Sequence, residues 1–276
     1  MSWPRFSRKL YQEENLDFID THCHIIPGVD DGPAKIETSI EMARMAVRDG
    51  ITTIVATPHI VEGYYDGGDR EERLDQIRGR LVESGIELNL VAGAEVPMST
   101  CLAGDGVFLK ALTIGGGSFL LMETAETTFD QMAQAVYRVR LSGLYPILAH
   151  PERAAFVRER PDRLAGIIER DEVYCQVTAA SMEGIFGGTI KKTSLKLAKA
   201  GMVHLVASDA HSTGKRSPRL TGAFDIMCKE LGEESARKIM IDNPAHVLMG
   251  EKLERIVSAG SHVSNRSILA RLLRRR

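Results

Sequence analysis

Short apolar runs alternate with longer amphipathic segments along this chain, and that alternation restricts the fold more than any other feature of the sequence. The runs have the length and side-chain character of β-strands: DFIDTH, TTIVAT, ELNLVAGAEV, FLLMET, YPILAH, VYCQVT and VHLVASDAH. Helical periodicity separates most of them, over residues 35–49, 69–84, 130–141, 161–169 and 191–200, with two further helices near 218–231 and 235–240. Strands that alternate with helices predict a parallel sheet, because parallel neighbours need a crossover connection.

The length of the chain favours one α/β domain. Seven strand–helix units within 276 residues are typical of a closed or nearly closed (β/α)7 barrel, and a doubly wound open sheet is the alternative. The formal net charge of -2 argues against general binding of nucleic acid. The cysteines are scattered and form no CxxC pair, so we expect neither a disulfide framework nor a zinc ribbon. Since the sequence has no apolar run of signal-peptide or membrane-span length, we expect a cytoplasmic protein.

Polar residues follow the apolar run at almost every predicted strand end. They are His22, His24, His59, Glu95, Glu123, His150, Asp209 and His211. Only the run VYCQVT, which ends near Thr178, contributes no obvious ligand. Because chemistry in parallel α/β folds collects at the carboxyl ends of the strands, these side chains should meet at one mouth. So many imidazoles and carboxylates would repel one another or stay unpaired there, which predicts bound cations. Imidazole and carboxylate ligands without thiolate suit manganese, iron or zinc.

This ligand set is larger than one ion can use. Two ions bridged by a carboxylate can clamp the attacking and leaving oxygens of a phosphoryl transfer, and the set leaves room for a third. Arg153, Lys215 and Arg216 follow such ligands closely, and arginine suits the capture of a phosphate oxyanion. A cysteine-based phosphatase is excluded, because none of the four cysteines has an arginine six positions on. Cys23 alternates to the face opposite its flanking histidines and should lie in the core.

The motifs DTHCHIIPGVDDGP, ATPHI, GAEV, LLMET, AHPER and ASDAH together resemble the polymerase-and-histidinol-phosphatase (PHP) superfamily. More narrowly, the HxHxxPxxDDG pattern looks like its bacterial branch of manganese-dependent protein tyrosine phosphatases, found with capsule and exopolysaccharide gene clusters. The resemblance implies a single-domain PHP fold, a distorted TIM-like (β/α)7 barrel, over residues 17–255. Residues 1–16 would then be an N-terminal extension, and residues 256–276 a basic amphipathic C-terminal tail.

The same resemblance implies a site for two or three divalent ions, expected to be Mn2+, with iron and zinc as alternatives. One ion would be held by His22, His24, Glu95 and Asp209, a second by Glu95, Glu123 and His150, and a third by Asp31, His59 and His211. Arg153 and Arg216 match the phosphate-binding arginines of the family. Asp30 is expected to shape the turn or to support a ligand.

The activity implied is hydrolysis of phosphotyrosine on a partner tyrosine kinase that regulates polysaccharide export, by direct attack of a metal-bridging hydroxide and without a cysteine nucleophile. Tyr64 and Tyr65, in the glycine-rich loop VEGYYDGGD, are candidates for an exposed peptide entrance, and Lys215 is a further candidate for substrate binding. In the tail, one helical stripe carries Ile268, Leu269, Leu272 and Leu273. We favour packing of this stripe on the protein itself or on a second subunit over contact with an anionic membrane surface.

Two other functions remain open. One is a small-molecule phosphomonoesterase of the same superfamily, such as a histidinol-phosphate phosphatase, against which the DDGP turn argues. The other is a non-catalytic, metal-stabilised binding module for a kinase or an assembly complex. It would release no phosphate with any metal.

Overall fold

The structure is a computed structural model that describes residues 16–125 and 127–256. Its strands are β1 (Phe18–Cys23), β2 (Ile51–Ala56), β3 (Asn89–Ala92), β4 (Glu95–Pro97), β5 (Phe119–Glu123), β6 (Tyr145–Ala149), β7 (Tyr174–Thr178) and β8 (Leu205–Ala207). Its α-helices are α1 (Ile36–Arg48), α2 (Arg70–Glu83), α3 (Met98–Ala103), α4 (Gly106–Ala111), α5 (Phe129–Leu141), α6 (Ala155–Glu159), α7 (Pro161–Asp171), α8 (Ala179–Glu183), α9 (Gly188–Lys199), α10 (Thr221–Leu231), α11 (Glu233–Arg237) and α12 (Asn243–Met249). Shorter helical turns cover Ile114–Gly116, Pro151–Arg153 and the π-helical Lys238–Asp242.

The strands form two parallel sheets, which confirms the predicted single-domain α/β fold. One sheet has the order β1-β2-β3 and the other β4-β5-β6-β7-β8. Backbone hydrogen bonds link the two sheets: Asp209, which follows β8, donates to the carbonyl of His22 in β1 at 2.8 Å, and Glu95 in β4 donates to that of Pro58, which follows β2, at 3.0 Å. The finer expectation, one closed seven-stranded barrel, stays a prediction because the strands divide between two sheets.

One predicted strand, ELNLVAGAEV, is wrong as a single element. It is divided into β3 and β4, which lie in different sheets. The break falls at Gly93, which passes so close to β2 that an added Cβ would lie 2.9 Å from Cγ1 of Val55. Only glycine permits such an approach, and beyond it the chain pairs with β5.

The predicted helices are confirmed within three residues at each end, and the starts of α9 and α10 are among the largest differences. The predicted start at residue 218 is too early, and α10 begins at Thr221. The side chain of Asp49, from the loop before β2, accepts hydrogen bonds from the backbone N–H groups of Leu220 and Thr221. Those first N–H groups have no intrahelical acceptor, so a carboxylate distant in sequence sets where α10 starts.

The central strands are buried on both faces, because helices cover the sheets on either side. Cys23 is fully buried within the hydrophobic core, as its alternation with the flanking histidines predicted. Among the described residues, no helix is long and apolar enough to span a membrane. The predicted tail stripe and residues 1–15 of the predicted N-terminal extension lie outside the described residues.

Candidate metal centre

The predicted ligands gather at the carboxyl ends of the strands. We call the nine of them the candidate centre: His22, His24, Asp31, His59, Glu95, Glu123, His150, Asp209 and His211. All but His150 fall into three overlapping groups whose donor atoms lie within 4.8 Å of one another. His150 joins through its Nε2 atom, which lies 2.7 Å from Oε1 of Glu95. Most of these side chains are buried, but that of Asp31 is 60% exposed and reaches in from the solvent side.

The three groups differ in detail from the predicted ligand sets. The first contains His22, His24, Glu95 and Asp209, as predicted; the second contains Asp31, His59 and His211 with the addition of His24; the third contains His59, Glu95 and Glu123. His150 was predicted in the position that His59 takes in the third group. His59 thus lies between two groups, with Nδ1 3.3 Å from Glu95 Oε2 and Nε2 3.6 Å from Asp31 Oδ1.

Hydrogen bonds select the tautomers of the two histidines that flank Cys23. His22 donates from Nδ1 to Oε1 of Gln176 at 2.7 Å, and His24 donates from Nδ1 to Oδ2 of Asp30 at 2.7 Å. In its neutral form, which is the form that binds metal, each ring therefore presents an unprotonated Nε2 to the interior. These two Nε2 atoms lie 3.0 Å apart, and Oε2 of Glu95 lies 3.1 Å from the first. Lone pairs that converge in this way repel unless a cation lies between them, so the residues fit a divalent metal.

His211 follows the same rule at the solvent side of the candidate centre. Its Nδ1 donates to the backbone carbonyl of Asp209 at 3.0 Å, and its Nε2 lies 3.0 Å from Oδ1 of Asp31. The ring stacks on that of His24, with centroids 3.7 Å apart. A second pair of electron donors therefore meets a few ångströms from the first, as the predicted multi-ion site requires.

The electrostatics of the candidate centre also favour the binding of positive charge. Burial alone would lower the pKa of His24, but hydrogen bonds to its carboxylate neighbours raise that pKa to about 10. Burial would raise the pKa of Glu95, yet His22 and His150 hold it well below its usual range. Burial, and then the charge of Glu95, raise the pKa of Glu123. The carboxylates keep their charge only against protonated imidazoles or cations, and metal ligation requires the neutral ring.

Two ligands adopt a left-handed backbone that non-glycine residues seldom use. The φ angles of His150 and Asp209 are 38° and 51°. Such a conformation costs about 1–3 kcal/mol for each residue and persists only where the surroundings enforce it. The N–H of His150 bonds to the carbonyl of Gln176 at 2.8 Å, and that of Asp209 bonds to His22. Neighbouring strands thus hold both ligands in place.

The two predicted phosphate-binding arginines lie beside the candidate centre and converge on Asp209. Arg216 donates to Oδ1 of Asp209 at 2.9 Å, and Arg153 donates to Oδ2. Arg153 also donates to Oγ1 of Thr178 at 3.2 Å, and its guanidinium lies over the ring of Phe186 at 4.2 Å from the centroid. Lys215 is solvent-exposed on the adjoining turn.

The predicted exposure of the two tyrosines at the entrance is confirmed for Tyr64 and wrong for Tyr65. Tyr64 is 72% exposed, but Tyr65 is only 7% exposed and belongs to the hydrophobic core. Two backbone hydrogen bonds of 2.8 Å between Val61 and Tyr65 close a tight turn. This turn directs one tyrosine outward and the next one inward.

The sequence reasoning missed residues that hold the ligands and arginines in place. Gln176 is fully buried within β7, the strand predicted to contribute nothing, and Glu152 accepts hydrogen bonds from the N–H of Thr178 at 3.1 Å and from Oγ of Ser181 at 2.6 Å. The signal for Gln176 was present: an amide inside the apolar run VYCQVT must find a partner when buried. Phe186 carried no comparable signal.

Two adjoining cavities, which together we call the trough, open beside Glu123. Their volumes are about 490 and 330 Å3, and both are lined by Pro97, Ser99 and Glu123. The larger cavity extends to His59 and Glu62, while the smaller one extends to Thr127 and Gln131 at the start of α5.

The chain is similar in sequence to bacterial tyrosine phosphatases. The family model for capsular polysaccharide synthesis, CpsB/CapC, matches residues 18–249. Tyrosine-protein phosphatase YwqE of Bacillus subtilis (strain 168) is 38% identical over 219 residues, which cover 78% of this chain and 86% of that protein. Tyrosine-protein phosphatase CpsB of Streptococcus pneumoniae is 29% identical over 242 residues, which cover 84% of this chain and 99% of that protein.

The fold agrees with these similarities. A crystal structure from a study of YwqE from Bacillus subtilis and CpsB from Streptococcus pneumoniae, described as unique metal-dependent tyrosine phosphatases, superposes with a TM-score of 0.78. The two chains are 34% identical, and the match covers 86% of this chain and 97% of the other.

Proposed function

This chain belongs to the CpsB/CapC family, and on that premise we propose that it is a metal-dependent protein tyrosine phosphatase that hydrolyses phosphotyrosine directly. One observation carries the proposal: the Nε2 atoms of His22 and His24 lie 3.0 Å apart, and Oε2 of Glu95 lies 3.1 Å from that of His22. Such a cluster binds a cation, and two arginines adjoin it. The buried thiols take no part, because burial raises the pKa values of Cys23, Cys101 and Cys175.

The metal ligands would be the nine side chains of the candidate centre, and the distances support two or three ions. When bound, divalent ions supply a Lewis acid for the phosphate oxygens and lower the pKa of water. Imidazole and carboxylate donors suit manganese, which we propose as the native metal, with iron and zinc as alternatives. Gln176 and Asp30 keep the rings of His22 and His24 in the ligating tautomer.

The arginines of the chain would orient the phosphate. Arg153 and Arg216 each donate to one carboxylate oxygen of Asp209, so the two guanidinium groups lie close to each other. Two guanidinium groups can donate hydrogen bonds to the oxygens of a phosphate and stabilise the charge that moves onto these oxygens during the reaction. Phe186 and Thr178 hold Arg153 on its outer side. The tyrosine leaving group has a pKa near 10, so it departs with less protonation than an alkyl alcohol needs.

We further propose that the substrate is a phosphotyrosine protein, specifically a tyrosine kinase of polysaccharide export. The support is the family itself, whose model is described by capsular polysaccharide synthesis. We also retain the distorted (β/α)7 barrel as a proposal, supported by the backbone hydrogen bonds that link the end of β8 to β1 and link β4 to the segment after β2. Neither proposal is needed for the chemistry at the candidate centre.

The decisive experiment couples metal content to turnover. Purified protein is stripped with a chelator, reloaded separately with Mn2+, Fe2+ or Zn2+, and assayed on a phosphotyrosine peptide and on histidinol phosphate. We expect turnover of the peptide, its loss on chelation, and its loss in His22→Ala and Asp209→Ala. His246→Ala removes a histidine outside the candidate centre and should leave activity unchanged.

The other outcomes separate the alternatives. Preference for histidinol phosphate would favour a small-molecule phosphomonoesterase. No phosphate release with any metal would favour a binding module. Full activity of His22→Ala would show that the candidate centre is not the active site.

A further inference from the structure

We propose that the trough holds the polypeptide on either side of the phosphotyrosine and that Glu62 selects this polypeptide by charge, favouring basic over acidic flanking residues. The inference rests on the proposed function and adds the substrate class that the same site accepts. Three features carry it: the position of the trough, the charges along it and the rigidity of its walls.

The trough is larger than the catalytic step alone requires. Each of its cavities, at about 490 and 330 Å3, falls within the range of roughly 300–1,000 Å3 that holds a small ligand. They meet at Glu123, the outermost member of the third ligand group. A lone phosphomonoester at the candidate centre would leave the arm towards Gln131 empty. A polypeptide that passes over Glu123 would occupy both arms.

Basic and acidic side chains lie on different sides of the candidate centre. Arg153 and Arg216 lie on the side of Asp209, whereas no lysine or arginine is found among the described residues that line the trough. The acidic residues of the trough include Asp31 and Glu123, whose charge bound metal ions would neutralise. Glu62 is not one of the candidate metal ligands, and it takes part in none of the ion pairs found among residues 16–125 and 127–256. Its charge is therefore available to the substrate.

The walls that carry these groups are firmly held. Glu62 lies on the tight turn of residues 61–65, which is closed by two backbone hydrogen bonds and anchored by the buried ring of Tyr65. At the other end of the trough, Thr128 and Gln131 form a reciprocal capping box at the start of α5. A charge on a rigid turn keeps its distance from a bound peptide, and so it discriminates between flanking charges.

The size of the effect follows from exposure. A solvent-exposed charge pair changes binding about two- to fivefold, and salt weakens it. We therefore expect a peptide with lysine on both sides of the phosphotyrosine to have a kcat/KM a few times that of a peptide with glutamate at those positions. Because the effect is electrostatic, the ratio should shrink when the ionic strength is raised.

The experiment compares these two peptides and p-nitrophenyl phosphate, which is too small to reach along the trough, using metal-loaded protein. The variants are Glu62→Gln and Glu62→Lys, and the control is Glu87→Lys. Glu87 is exposed and precedes β3, so it lies at the end of the sheet opposite the candidate centre. Its replacement by lysine changes the net charge of the protein by the same amount as Glu62→Lys.

We expect the ratio of kcat/KM for the lysine peptide to that for the glutamate peptide to fall towards one in Glu62→Gln, to invert in Glu62→Lys and to stay unchanged in Glu87→Lys. Hydrolysis of p-nitrophenyl phosphate, measured with each variant, provides the reference for the chemical step. Equal kcat/KM values for the two peptides with the unaltered protein would overturn the inference. So would a ratio that Glu62→Lys leaves unchanged. In both cases hydrolysis of p-nitrophenyl phosphate would show that the proposed phosphatase activity still stands, whereas its absence with every metal would overturn that activity too.

Discussion

Replacing Gln176 by leucine should weaken metal binding about ten- to a hundredfold while leaving the metal-free protein folded. Gln176 is fully buried, and its Oε1 is the acceptor for Nδ1 of His22 at 2.7 Å. Without it, a metal-bound His22 would carry a buried N–H with no acceptor, at a cost of about 1–3 kcal/mol. That free energy corresponds to the expected loss of affinity, at 1.4 kcal/mol for each factor of ten.

The metal-free protein should tolerate the same substitution. Nε2 of Gln176 has no hydrogen-bond partner among the described residues, so leucine also removes an unpaired polar group from β7. Without metal, the ring of His22 is free to change tautomer and avoid the penalty. The measurements are metal dissociation constants by chelator competition and thermal unfolding with and without Mn2+. Stability should fall only in the metal-loaded state.

Gln176→Glu provides the matched control. A carboxylate keeps the acceptor at the same place, so Gln176→Glu should bind metal within a few-fold of the unaltered protein. If Gln176→Leu binds metal as tightly as the unaltered protein does, the tautomer argument for His22 is refuted. If both forms lose the metal-free fold, the role of Gln176 is structural.

Three further substitutions test other parts of the structure. Burial, and then the charge of Arg255, lower the pKa of His204 to about 3. Below the ordinary pKa near 6.5, unfolding therefore takes up a proton. The contribution of His204 to stability is complete above that pH, and the free energy of unfolding should decline by about 1.4 kcal/mol per pH unit as the pH falls towards the folded value. In His204→Asn, urea unfolding between pH 6.5 and pH 5 should lack this part of the slope. Asp49→Ala leaves the start of α10 uncapped and should cost about 1–2 kcal/mol in urea unfolding, whereas Asp49→Asn, which keeps an acceptor, should retain most of it. Phe186→Leu removes the ring under Arg153 and should raise the inhibition constant of inorganic phosphate about three- to tenfold, with recovery in Phe186→Tyr and no matching change in melting temperature. An unchanged inhibition constant would show that the stack does not position Arg153.

Local periodicity explains why most of the fold was predictable. The apolar spacing predicted a helix over residues 35–49, and α1 spans Ile36–Arg48, because an amphipathic face is a property of neighbouring residues. The error at ELNLVAGAEV has the opposite origin. The break at Gly93 is imposed by Val55, a residue of another strand, and nothing within the run itself reveals it.

The candidate centre, too, was predictable from the sequence in some of its features and not in others. That ligands lie at strand ends follows from residue type and strand position, so the members of the candidate centre could be named in advance. Support for His24 was also foreseeable, because Asp30 lies only six residues away in the same turn. The exchange of His150 for His59 in one ligand group was not foreseeable, since it depends on how far each strand reaches into the mouth.

Residue order alone thus determined which side chains arrive at the candidate centre, because strand ends, alternation and turns are set over a few neighbouring positions. Only the tertiary structure decided which nitrogen of His22 faces the interior. The acceptor for His22 is Gln176, which is 154 residues away along the chain. Such a contact exists only once the sheets have formed, and by accepting from Nδ1 it leaves Nε2 of His22 free to act as a ligand.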